Sequence, residues 1–107
     1  MNYYEHTYIT VPETNESNAD SIKAKINDIL EKNDSKIIKE EDWGIRSLSY
    51  PIKKNNKGKY SNLYIEGNSK VIKEIEQFER YDERVIKFLS IKIKKIPEES
   101  SELAKIS

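Results

Sequence analysis

The spacing of apolar positions changes several times along the chain, and each change marks an element. Residues 3–11 are rich in aromatic and β-branched types, are bounded by Pro12 and lack helical spacing, so they read as a first strand. Ala19, Ile22, Ile26, Ile29 and Leu30 then recur at helical spacing up to the break at Asn33, Asp34 and Ser35. Ser17 with Asp20 three residues later resembles a capping box, which predicts a helix over about residues 17–33. Residues 36–53 hold the pair Ile37 and Ile38, an acidic stretch, and then Arg46, Leu48, Tyr50 and Ile52 at period two. This predicts a long second strand, bulged near Gly44.

The polar run over residues 53–58 is a turn signal, and Tyr60, Leu63, Tyr64 and Ile65 beyond it predict a third strand paired as a hairpin with the second. Asn68 and Ser69 are good caps for a helix over residues 69–79, whose Val71, Ile72, Ile75 and Phe78 share a face. Residues 85–96 predict a last strand with Val85, Leu89, Ile91 and Ile93 on one face, ended by Pro97. The order βαββαβ is that of a ferredoxin-like α+β sandwich, a four-stranded antiparallel sheet with two helices on one face. The other face is then open, and tyrosines on it make a binding platform. The expected organisation is one domain over residues 1–96 and a short polar tail over 97–107.

Composition narrows the chemistry. At 107 residues there is room for one domain. The chain has no cysteine, which excludes disulfides, thiolate catalysis and Cys-based zinc sites. His6 is the single histidine and has no HxxH or HExxH spacing around it, so a structural role is expected and no metal or other cofactor. No apolar run approaches the roughly 20 residues of a membrane-spanning helix, and Met1 leads into a strand without a signal-peptide pattern; a soluble, unprocessed protein is expected.

Nineteen basic and nineteen acidic residues give zero net charge, which argues against a protein that holds nucleic acid by a global positive field. Their distribution is uneven. Between residues 51 and 65 the only charges are Lys53, Lys54, Lys57 and Lys59, and between 84 and 96 they are Arg84, Lys87, Lys92, Lys94 and Lys95. Acids collect at Glu40, Glu41 and Asp42 and in the tail.

The stretch from Glu41 to Lys54 resembles the second-strand signature W-G-x-R-x-L-A/S-Y-P-I-x-K of the family of the sixth protein of the bacterial small ribosomal subunit. Trp43, Gly44, Arg46, Leu48, Tyr50, Pro51, Ile52 and Lys54 match it. Tyr4 and Glu5, then Gly58 and Tyr60, then Asp82, Val85, Ile86 and Lys87 fall in family order, so the resemblance spans about residues 3–96. Ser47 departs from it, where many members carry a longer polar side chain. The resemblance implies a structural constituent of the small subunit that binds ribosomal RNA of the central domain, the platform, together with the eighteenth small-subunit protein. It implies no catalysis and no small-molecule substrate, and the chain offers no glycine-rich phosphate loop and no nucleophile with its base. The ribosome is left as bacterial, in the cytoplasm, or mitochondrial.

Candidate RNA-binding residues are Tyr4, Arg46, Lys53, Lys54, Lys57, Lys87, Lys92 and Lys94, and candidate partner-binding residues are Trp43, Gly44, Tyr50, Tyr60 and Tyr64. Each has an ordinary alternative. The hairpin lysines also suit a solvated tip, and those of the last strand also suit protection of a sheet edge. Trp43 and Tyr50 also suit the domain's own core, and Arg46 also suits an ion pair with Glu66 across the hairpin. An RNA-recognition motif shares the βαββαβ order, but the run from Lys57 to Tyr64 puts Lys59 and Ser61 where its stacking rings belong. An acylphosphatase-like enzyme needs an anion cradle after the first strand, and residues 11–16 supply two acids and no glycine there.

Overall fold

Six elements follow one another in the computed structural model, which describes residues 2–12 and 15–96. They are β1 (Asn2–Thr10), α1 (Glu16–Lys32), β2 (Lys36–Ile52), β3 (Asn55–Gly67), α2 (Ser69–Tyr81) and β4 (Val85–Ile93). The tail expected over residues 97–107 lies outside the described residues. Helix α1 starts earlier than the capping-box reading, because the side chain of Asn15 accepts the Asn18 amide at 2.8 Å. Asparagine caps at least as well as serine, and Ser17 is left inside the first turn. Helix α2 starts as expected, with Asn68 accepting from the Val71 amide.

The strands form one antiparallel sheet in the order β2-β3-β1-β4, the ferredoxin-like α+β arrangement. Alternation along β1 sends Tyr4, His6 and Tyr8 toward the helices, where a core forms with Ile22, Ile26 and Leu30 of α1 and Val71, Ile72 and Ile75 of α2. Leu63 and Ile65 of β3 complete its floor. Both helices therefore cover one face of the sheet, and among the described residues no further element covers the opposite, open face.

Strand β4 departs from its sequence reading. Its register against β1 shifts at Ile86, so that Ile9 pairs with Lys87 but Thr10 pairs with Val85. One extra residue reverses the facing of everything beyond it. Val85 is buried in the helix-side core, whereas Leu89 and Ile91 stand 57% and 47% exposed on the open face. The four residues predicted to share a face are thus split, and the strand ends at Ile93 and not at 96.

Two irregularities shape β2. A register shift between Asp42 and Gly44 confirms the bulge, and Gly44 takes φ 76°, with its amide donating to Asp42 Oδ1 at 2.9 Å. Left-handed backbone is what glycine supplies and a β-branched residue resists. Gly44→Val is therefore expected to lower stability by about 1 to 3 kcal/mol, read as a drop in thermal midpoint. The β2–β3 turn is tighter than the polar run suggested, with only Lys53 and Lys54 between Ile52 and Asn55. Both take positive φ, 48° and 68°, the geometry that matches the twist of a two-residue hairpin. For non-glycine residues it costs roughly 1 to 2 kcal/mol each.

Candidate RNA and protein interface

The outer part of the β2–β3 hairpin, residues 46–57, forms an arm that lies against the open face near the start of β4. Leu48 Cδ2 is 3.6 Å from where a Cβ on Gly58 would stand; Ile86 Cδ1 is 3.5 Å from it and Ile9 Cγ2 only 2.2 Å. Only a glycine lets Ile9 pack there. Ile9 and Ile86 are 7% and 6% exposed although neither belongs to the helix-side core, so the arm buries a second, smaller apolar cluster. At the tip, the Lys53 ammonium donates to the Val85 carbonyl at 3.3 Å. Further back, the Lys87 ammonium lies 5.8 Å from the centre of the Tyr50 ring.

The middle of the open face is polar and internally paired. Thr7 donates to Asn62 at 2.8 Å, the Asn62 amide reaches Glu5 at 3.5 Å, and Lys39 pairs with Glu41 at 3.4 Å. Trp43 donates its indole N–H to Glu41 at 2.8 Å, and Arg46 Nε donates to the Trp43 carbonyl at 2.9 Å. Tyr64 sits among these groups, opposite Glu5 in the register, with Lys39 over its ring at 5.7 Å. Burial and the neighbouring carboxylates push its hydroxyl up to about 12, so it stays a neutral donor.

The candidate residues fall into distinct places. Lys54 and Lys57 are exposed on the arm, and Lys87 is exposed on the strand beside it. Lys92 and Lys94 are also exposed, but five residues of extended chain put Lys92 roughly 17 Å from Lys87, and Lys94 lies past the end of the strand. Tyr4 is a core residue, 8% exposed beneath the helices, so its ring offers nothing to a nucleic acid. Arg46 lies opposite Gly58, which removes the pairing with Glu66; Glu66 is instead opposite Lys36. Tyr50 is 61% exposed, Tyr60 is half-buried opposite Gly44, and Tyr64 is buried in the polar network. Trp43 is half-buried at the bulge beside Gly44 and not in the core. Arg84 is engaged by Asp82 at 2.6 Å, a contact that holds the Asp82 carboxyl below its ordinary range.

Leu89 and Ile91 were not among the candidates. They are the exposed apolar residues of β4, and only the bulge at Ile86 brings them to the open face. His6 has the structural place expected of it: fully buried, with Nε2 2.6 Å from Glu79 Oε1 and Nδ1 2.6 Å from Ser90 Oγ. Among the described residues no group of three or more His, Cys, Asp or Glu side chains is placed to hold a metal ion. No helix among them is long and apolar enough to cross a membrane.

Comparison with known proteins points one way. Residues 3–92 match the family model described as Ribosomal protein S6. The small ribosomal subunit protein bS6 of Pelagibacter ubique is 37% identical over 98% of this chain and 87% of its own length. That of a Sulfurovum species is 39% identical over 86% of this chain and 72% of its own length. The crystal structure of 30S ribosomal protein S6 from Thermotoga maritima superposes with a TM-score of 0.77 at 28% identity, covering 86% of this chain and 87% of that one. With the family model spanning most of the chain and the same sheet and helices in a solved relative, this chain belongs to the ribosomal protein S6 family of the bacterial small ribosomal subunit.

Proposed function

We propose that this chain is a non-catalytic constituent of the small subunit of a bacterial, cytoplasmic ribosome. In this reading it binds small-subunit ribosomal RNA in the central domain, the platform, jointly with the eighteenth small-subunit protein. The observation that carries the reading is the division of the open side of the sheet. Exposed Leu89 and Ile91 form an apolar strip on the side of the sheet away from α1 and α2, and exposed lysines stand on the arm and on β4 next to it. Apolar surface of this kind suits a protein partner. Lysines at its border suit phosphates, which they attract without reading sequence.

Lys54, Lys57 and Lys87 take the phosphate role, with Lys92 and Lys94 contacting a separate stretch of RNA. Trp43, Tyr50 and Tyr60 flank the partner's seat. Zero net charge fits weak binding to RNA alone and tighter binding once the partner's surface is added. The test is calorimetry or gel shift with a central-domain RNA fragment, with and without the purified eighteenth protein, over a salt series. Tight binding is expected only with the partner present. Changing Lys54, Lys57 and Lys87 together to alanine is expected to flatten the slope of log affinity against log salt by about 2 to 3, at roughly 0.7 to 0.9 per lost phosphate contact. Equal affinity without the partner, or an unchanged slope, overturns the reading.

A further inference from the structure

The hairpin tip is built from residues that its geometry does not favour. A two-residue turn with both φ positive is the place of Asn-Gly or Asp-Gly, and here both positions are lysine. Backbone in a sparsely populated region persists when its surroundings over-determine it. The surroundings are specific here. The Asn55 side-chain amide donates to the Ile52 carbonyl at 3.4 Å and to the Lys53 carbonyl at 3.1 Å, bracing the turn from within. The left-handed backbone at Lys53 accompanies a side chain directed across to β4, where its ammonium reaches the Val85 carbonyl.

That carbonyl lies beside the Ile86 bulge, where β4's pairing with β1 is irregular. Three contacts thus join arm and strand: Lys53 to Val85, the Lys87 ammonium over Tyr50, and Leu48 beside the cluster of Ile9 and Ile86. Lys53 is the contact at the far end, where leverage on the arm is greatest. Its neighbours Lys54 and Lys57 are exposed, and neither has a hydrogen bond or ion pair among those described. Lys53, Lys54 and Lys57 look equivalent in the sequence but divide into one that ties and two that face outward.

We infer that Lys53 is a positioning residue: by donating to the Val85 carbonyl it holds the β2–β3 arm on β4, so that Lys54, Lys57 and Lys87 meet an RNA backbone already arranged. The RNA consequence rests on the function proposed above, whereas the hold on the arm does not. A flexible arm has to be ordered at the moment of binding, and a held arm avoids that cost. Lys53 then contributes to affinity through arrangement and not through a phosphate contact of its own.

Lys53→Asn separates these roles. Asparagine tolerates left-handed backbone better than lysine and is too short to reach Val85, so the turn is retained while the tie is lost. Lys53→Arg restores a donor of sufficient length. In the intact chain, hydrogen exchange of amides over residues 46–57 is expected to be about 3- to 10-fold faster in Lys53→Asn than in wild type, as for loss of one hydrogen bond. Lys53→Arg is expected to return it to near wild type. With the central-domain RNA fragment and the eighteenth protein, Lys53→Asn is expected to weaken binding several-fold while leaving the salt slope unchanged. Exchange that is unchanged or slower in Lys53→Asn overturns the inference. So does a slope reduced by about one contact, which would make Lys53 a phosphate ligand. If the wild-type chain fails to bind this RNA with the partner present, the proposed function falls, and the exchange comparison alone still decides whether Lys53 holds the arm.

Discussion

Glu79→Ala is expected to lower stability by about 2 to 4 kcal/mol, since it leaves a buried imidazole N–H without its acceptor and opens a cavity. Glu79 on α2 and His6 on β1 are both inaccessible to solvent, and their contact joins the last turn of the helix to the middle of the sheet. The arrangement in which the Ser90 hydroxyl donates to Nδ1 and Nε2–H donates to Glu79 satisfies both ring nitrogens at once. Removing the carboxylate leaves the imidazole buried beside a cavity. Replacing both partners, His6→Leu with Glu79→Met, is expected to recover most of the loss, since apolar pairs of similar volume avoid the desolvation of charge. Denaturant titration of the single and double variants checks this, and a single variant within 1 kcal/mol of wild type would sink the account.

The same pair gives stability a pH dependence. Burial pushes the Glu79 carboxyl above its ordinary 4.5, and the hydrogen bond from His6 offsets only part of that push. Oε2 has no protein hydrogen-bond partner among the described residues, which adds to the disadvantage of the ionised form. A carboxyl with a raised pKa binds its proton more tightly in the folded than in the unfolded protein. Its contribution is therefore fully present below about pH 4.5 and is lost as pH rises through the folded-state value. Stability of wild type relative to Glu79→Gln should accordingly decline as pH is raised from 4.5. A difference that grows with pH contradicts this assignment.

Ile75→Ala is expected to cost about 2 to 5 kcal/mol, and Leu89→Ala to stay within about 0.5 kcal/mol of wild type. Both positions carry large aliphatic side chains in regular elements. Ile75 on α2 is fully buried in the helix-side core, whereas Leu89 is 57% exposed on the open face. The core truncation removes packed methyls and leaves a cavity that a rigid sandwich fills poorly. Leu89 has little such packing to lose in the free protein. If the proposed partner seats on that strip, Leu89→Ala should weaken docking while thermal midpoint is kept, and Ile75→Ala should do the reverse. A large loss of stability on truncating Leu89 would show that the strip is internal packing and not a docking surface.

Element order and type were legible because each rests on short-range regularities. Ile22, Ile26 and Leu30 repeat at helical spacing and are buried on one side of α1. The caps differ instructively. Asn68 and Ser69 stand side by side and place the start of α2 to within one residue, whereas Asn15 and Ser17 lie two residues apart at α1, and local chemistry does not rank two nearly equal caps. The signature around Trp43 and Tyr50 carried the family, because spacing along one strand is itself a linear property.

Tertiary structure decided what depends on register and on distant partners. The bulge at Ile86 has no mark in the sequence, and it alone sends Val85 to the core and Leu89 and Ile91 to the open face. Tyr4 and Tyr60 are both strand tyrosines, but opposite facing buries one beneath the helices and leaves the other half-open. Lys53 and Lys54 are adjacent and identical, and only the approach of the arm to β4 gives the first a carbonyl to hold. His6 and Glu79 lie 73 residues apart and meet in the interior, so a pairing invisible along the chain is dictated by how α2 crosses β1. The sequence determines which residues alternate and where the chain turns, since those are contests among neighbours. Which face is covered and which cation is tied follow from contacts between remote segments, which exist only once the sheet has closed.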